Sequence, residues 1–173
     1  INTLFEANKY HNATKAHKFT IDNGYLSILG CCTRDTYCSM FDSAFLDIGF
    51  LNRIFVVCGK GERRFSLPPP IHRDAKHKIM SGLTEVFDWV LQLEDHGRLD
   101  GKYAFEIEPE AKLLFDDWYK QLPNSIFAKR LDTMGHRLMM LIAVSARRAT
   151  IDAEVMQATI SLLNYELAAR ESA

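Results

Sequence analysis

The chain has 173 residues, of which 47% are apolar and 25% charged, and a formal charge of −1. That size and composition fit one packed domain, or one and a half, and exclude a fibrous or disordered chain. The near-zero charge excludes an overall basic binder of nucleic acid, and no apolar stretch reaches the ~18 residues of a membrane span.

The charge is unevenly divided. Residues 1–70 hold eight Lys/Arg against six Asp/Glu, a net of +2, and residues 71–173 hold thirteen against sixteen, a net of −3. An anion-binding surface is therefore expected in the first part. The four Cys (31, 32, 38 and 58) do not form a disulfide framework. Adjacent Cys31 and Cys32 fit a reducing compartment such as the cytoplasm. No signal peptide is visible. The chain opens on Ile1 in mid-pattern, as a piece of a longer protein would.

In chain order, residues 1–8 read as the end of a helix. Residues 9–18 carry three Lys, two His and no acid, and read as the basic tip of a hairpin next to a short strand at Phe19–Ile21. Asp22-Asn23-Gly24 is a turn signal. Tyr25–Gly30 is a short continuous apolar run, the pattern of a buried parallel strand. Thr33 is placed to cap a short helix running to Met40 and Phe41. Residues 42–53 are irregular, broken by Gly49. Arg53 then opens a second apolar run, 54–58, again read as a buried strand. Pro68-Pro69-Pro70 forbids regular structure and divides a first part, 1–67, from a mainly helical part, 71–173.

Beyond the prolines, Ile79, Leu83, Val86, Val90 and Leu93 recur at helical spacing, ended by His96-Gly97. Tyr103, Phe105 and Ile107 alternate as in a strand. Pro109 suits the first turn of a helix whose face is Ala111, Leu114, Phe115, Trp118 and Leu122. Leu131, Met134, Leu138, Leu141, Ile142 and Ser145 form another. Asp152 caps the last helix, with Val155, Ala158, Thr159, Leu162 and Tyr165 on one face and Ile151 stapled on Met156.

Arg53 is the sharpest candidate for chemistry. It either reaches a neighbouring subunit's γ-phosphate or pairs with Asp42 or Asp47 and fixes the strand start. Lys15, His17 and Lys18 either contact phosphates or lie on a solvated loop. Arg137 either reaches a nucleotide from a helical lid or bridges helices. Lys60 lies in GKGE, which lacks the leading Gly and the Ser/Thr of a P-loop. The Cys and His residues have no zinc spacing, and no metal site is expected in this chain.

The segments LSILGCCTRD (26–35), Gly49-Phe50-Leu51-Asn52-Arg53-Ile54, AKLLFDDWYKQL (111–122), KRLDTMGHRLMMLIAV (129–144) and IDAEVMQATISLLNY (151–165) together resemble the C-terminal part of a family of phage- and prophage-associated primase/helicase-like P-loop NTPases. Ile54 stands where that family usually has Phe. The resemblance implies an α/β fragment followed by a mainly α region: the last strands of a RecA/AAA-like core, then a helical bundle or lid. It implies that Tyr25–Gly30 is similar to a sensor-1 strand with Thr33 near its polar end, and that Arg53 is similar to an arginine finger. Lys15, His17 and Lys18 stand where related helicases carry a DNA-contacting hairpin. It further implies ATP and magnesium bound by a longer parent, single-stranded DNA as partner, and a homo-oligomer. A helical protein-interaction module without nucleotide chemistry is the alternative.

Overall fold

The computed structural model describes residues 7–14, 18–40, 49–59, 61, 65–95, 98–99 and 102–172. In chain order these form β1 (Tyr10–Ala13), β2 (Lys18–Ile21), α1 (Arg34–Met40), a 3-10 turn (Leu51–Arg53), α2 (Arg73–Asp95), β3 (Arg98–Leu99), β4 (Lys102–Tyr103), β5 (Glu106–Ile107), α3 (Pro109–Lys120), α4 (Leu131–Ser145), β6 (Thr150–Ile151) and α5 (Ala153–Ser172). Among the described residues this is a mainly helical α/β chain with three two-stranded sheets. The pairs β1–β2 and β3–β4 are antiparallel, and β5–β6 is parallel. No helix among them is long and apolar enough to cross a membrane.

The core lies between α3, α4 and α5. Ala111, Met139, Ala143, Ile151, Val155 and Met156 make one buried cluster, and Trp118, Ala128, Leu131, Met134 and Leu163 make a second. Gly135 sets how closely the helices approach. A Cβ there would stand 2.9 Å from both Leu163 Cδ1 and Phe115 Cζ, inside van der Waals contact. The Trp118 indole N–H donates to Asn164 Oδ1 at 2.8 Å, so its polar atom is satisfied although the ring is buried.

Local signals fix the ends of these helices. Pro109 sits in the first turn of α3, where its missing N–H costs nothing. Asp152 caps α5: the Val155 N–H donates to Asp152 Oδ1 at 2.9 Å. Ile151 and Met156, flanking the cap, are both buried in the first cluster, as a hydrophobic staple requires. Arg148 pairs with Asp152 and Glu154 across the same turn.

Some predicted faces are rotated. On α4 the buried positions include Met139 and Ala143, while Leu141 is exposed; on α5 they include Met156 and Leu163, while Leu162 and Tyr165 are partly exposed. Both helices pack on more than one neighbour, so a single apolar stripe does not describe them. The strand read at 103–107 is divided between β4 and β5, which pair with different partners. In α2, Val86, Trp89, Val90 and Leu93 are half-buried, but Ile79, Met80, Leu83, Phe87 and Leu91 are exposed.

The first part departs further from expectation. The hairpin is present, but the basic stretch forms its first strand as well as its tip: Tyr10 faces Ile21 and Ala13 faces Lys18. Asp22-Asn23-Gly24 is a turn, with Asn23 at φ 54°. It folds the chain back so that the Gly24 N–H donates to Asn8 O at 2.7 Å. Tyr25–Gly30 is not a strand, and it is not buried: Tyr25 is 85% and Ile28 66% exposed. An apolar run becomes a strand only beside another, and no described segment pairs with it. Residues 54–58 are likewise extended without being a strand. The end of the predicted helix at Phe41, the partners Asp42 and Asp47, and the His96-Gly97 stop lie outside the described residues.

The Val155 N–H and the Arg148 guanidinium hold the Asp152 carboxyl below its ordinary value of 3.8, against a partial desolvation that raises it. An acid with a lowered native value stabilises the fold fully above its unfolded value and loses that contribution as pH falls through the native one. Asp152→Ala should cost about 1 kcal/mol at pH 7. Denaturant titrations should show the deficit shrinking as pH falls below 3.8; a deficit independent of pH would contradict this account of the cap.

Candidate functional site

The C-terminal half of α5 gathers the segments that carry Arg53 and Thr33. Its buried stripe continues from Thr159 and Leu163 to Glu166 and Arg170, spaced at helical intervals, so two charged residues occupy core positions. Their side chains are 0% and 1% exposed, and Arg170 Nε donates to Glu166 Oε1 at 2.7 Å. Two such charges are stable in an apolar setting only with their remaining hydrogen-bonding groups satisfied.

Backbone of other segments satisfies them. Arg170 Nη1 donates to Phe127 O at 2.9 Å and Lys129 O at 3.4 Å, and Nη2 donates to Ile54 O at 3.3 Å. Glu166 Oε2 accepts the Val56 N–H at 2.8 Å. Farther along, the Cys58 N–H donates to the Tyr165 hydroxyl at 2.9 Å, and the Phe55 and Tyr165 rings stack at 6.5 Å. Residues 54, 56 and 58 thus direct their backbone groups at α5, as one edge of an extended chain does. Side chains of a helix stand where a neighbouring strand was expected. Burial pushes the Glu166 carboxyl up, against the lowering by Arg170 and Val56.

Arg53 ends the 3-10 turn just before this segment, instead of opening a strand. It is half-buried, and its Nη1 donates to Gly49 O at 2.7 Å. Gly49 is required twice over. Its φ is +67°, and a Cβ on it would stand 3.0 Å from Arg53 Nη1. The guanidinium therefore rests against the carbonyl of the turn preceding it.

Thr33 caps α1, as its position implied: the Thr36 N–H donates to Thr33 Oγ1 at 3.2 Å. Arg34 Nη2 donates to Ser172 O at 2.9 Å, which ties α1 to the end of α5. Tyr37 is raised above its ordinary value first by burial and then by the charge of Glu166, so α1 lies against the same pair. The structure thus collects the Thr33 and Arg53 segments at one place.

The other sequence candidates lie elsewhere. Lys18 is in β2, exposed, opposite Ala13. Lys15 and His17 lie outside the described residues. Arg137 is exposed on α4. On another face, a cavity of about 250 Å³ is lined by Ile107, Lys112, Phe115, Asp116, His136 and Met156, none of them singled out from sequence. Among the described residues no group of three or more His, Cys, Asp or Glu is placed to hold a metal ion.

Sequence reasoning missed Glu166 and Arg170. The signal was available: they stand four apart and continue the spacing of Val155, Thr159 and Leu163, where solvated charges do not belong.

No family model matches the chain, and no curated protein or solved structure matches it either.

Removing one member of a buried ion pair leaves the other uncompensated. Arg170→Met should therefore lower unfolding stability by about 3–5 kcal/mol in urea titration. A loss below about 1 kcal/mol, the scale of an exposed pair, would show that Arg170 is not the junction described.

Proposed function

We propose that this chain is the C-terminal portion of an NTP-dependent DNA-remodelling protein, helicase- or primase-like, with a RecA/AAA-like core to which residues 25–30 and 54–58 contribute strands. The state of these two runs supports the reading most. Both have the apolar sequence of buried strands, and both lie open. Tyr25, Leu26, Ile28 and Leu29 are exposed, as is Val57. In the second run α5 takes the backbone edge of Ile54, Val56 and Cys58, which leaves the opposite edge, at Phe55 and Val57, turned away. Such an edge is what a further strand covers.

In this reading a longer chain supplies the covering strands and the segments that hold ATP and magnesium. The residues described here do not form a magnesium site, and no step is assigned to the metal. Arg53 acts in trans, exchanging its bond to Gly49 O for a phosphate oxygen of a nucleotide held by an adjacent subunit, where a fixed cation stabilises developing charge. Thr33 is the sensor-like residue beside it, and Arg137 contacts the nucleotide from the helical unit. The hairpin touches single-stranded DNA through Lys15, His17 and Lys18.

One observation favours the alternative, a helical interaction module without nucleotide chemistry. Ile79, Met80, Leu83, Phe87 and Leu91 leave an apolar sector of α2 exposed, and such a sector suits a partner helix. The reading frame upstream discriminates between the two: a G-x-x-x-x-G-K-[ST] sequence within a couple of hundred residues supports the NTPase.

In the longer protein, Arg53→Ala should abolish ATP turnover while leaving the thermal midpoint unchanged; wild-type turnover would remove the finger assignment. Lys15→Ala with Lys18→Ala should weaken binding of single-stranded DNA. The log–log dependence of affinity on salt should become shallower by about one unit for each phosphate no longer neutralised. An unchanged slope would dismiss the hairpin as a DNA-binding element.

A further inference from the structure

We propose that Glu166 and Arg170 are positioning residues for Arg53, setting from the last helix the direction in which its guanidinium is presented. The inference rests on the role given to Arg53 above. Its basis is where the two charges spend their hydrogen bonds. Arg170 holds the carbonyl of Ile54, the residue next to Arg53, and Glu166 holds the N–H of Val56. With both fixed, the chain leaving Arg53 cannot rotate independently of α5. On the other side, Gly49 O holds the guanidinium itself. Arg53 is thus suspended between a glycine turn and the buried pair.

Packing alone does not call for two charges here. Apolar side chains of similar volume commonly hold a helix as well as a buried ion pair does, without the desolvation cost. What apolar side chains cannot do is bond the backbone at two defined atoms. The same guanidinium also holds Phe127 O and Lys129 O, in the connection between α3 and α4. One side chain therefore links the Arg53 segment to the three-helix core, and a shift of that connection or of α5 reaches Arg53 directly. This assigns the helical unit a regulatory part: it sets whether Arg53 is aimed.

The test uses the longer ATP-hydrolysing protein and separates aim from folding. Glu166→Leu combined with Arg170→Met removes both charges and keeps the volume. The expected result is a thermal midpoint close to wild type, faster amide exchange at Val56, and unchanged ATP-binding stoichiometry. The kcat per bound nucleotide should fall at least about tenfold while KM stays within about twofold, the signature of an interaction used only in the transition state. Should that variant fail to fold, Arg170→Lys serves. It keeps the charge beside Glu166, but a single ammonium cannot reach Ile54 O, Phe127 O and Glu166 together, and the same loss of kcat is expected. Faster exchange at Val56 with unchanged kcat overturns the positioning role and leaves Arg53 as assigned. Arg53→Ala is the parallel control, and wild-type turnover in it overturns both assignments.

Discussion

A buried carboxylate and a buried guanidinium, Glu166 and Arg170, join three parts of this chain that have few other reasons to meet. Desolvating two charges costs several kcal/mol each, and their mutual attraction offsets that only with good geometry and with the remaining donors and acceptors filled. Here they are filled by backbone: Ile54 O, Val56 N, Phe127 O and Lys129 O. The extended segment after Arg53, the connection ahead of α4, and α5 itself are thereby fixed to one another. Tyr37 of α1 lies within the field of the same pair, and Arg34 reaches the end of the same helix.

The parts of the sequence that were legible are those whose stability is local or shared among near neighbours. Pro109, Thr33 and Asp152 mark helix starts because each solves a problem of unpaired N–H groups within one turn. Ile151 and Met156 meet across a cap for the same reason. The core helices α3, α4 and α5 follow from apolar spacing, and errors there are rotations of a face. Met139 was missed because α4 has apolar neighbours on more than one side, which widens its buried sector.

The two central apolar runs were misread for a different reason. Tyr25–Gly30 and Ile54–Val57 have strand composition, but a strand is a relation between segments, and composition does not supply the second one. In the structure the first run lies exposed and the second leans on a helix. The identity of that helix's contribution was visible only as an anomaly, a charged pair on core positions of α5. Arg53 was found from its place beside the run; what holds it, Gly49 O and the bonds at Ile54, required coordinates. An αL glycine that cannot carry a Cβ without crowding Nη1 is legible as a break in sequence, not as a cradle.

The central claim is that helix side chains, not a neighbouring strand, hold the backbone after Arg53. Through-hydrogen-bond scalar coupling at the Val56 amide nitrogen tests it most directly. The account predicts coupling to the side-chain carboxyl carbon of Glu166. Coupling of that nitrogen to a backbone carbonyl carbon instead would place residues 54–58 in a sheet and contradict the account.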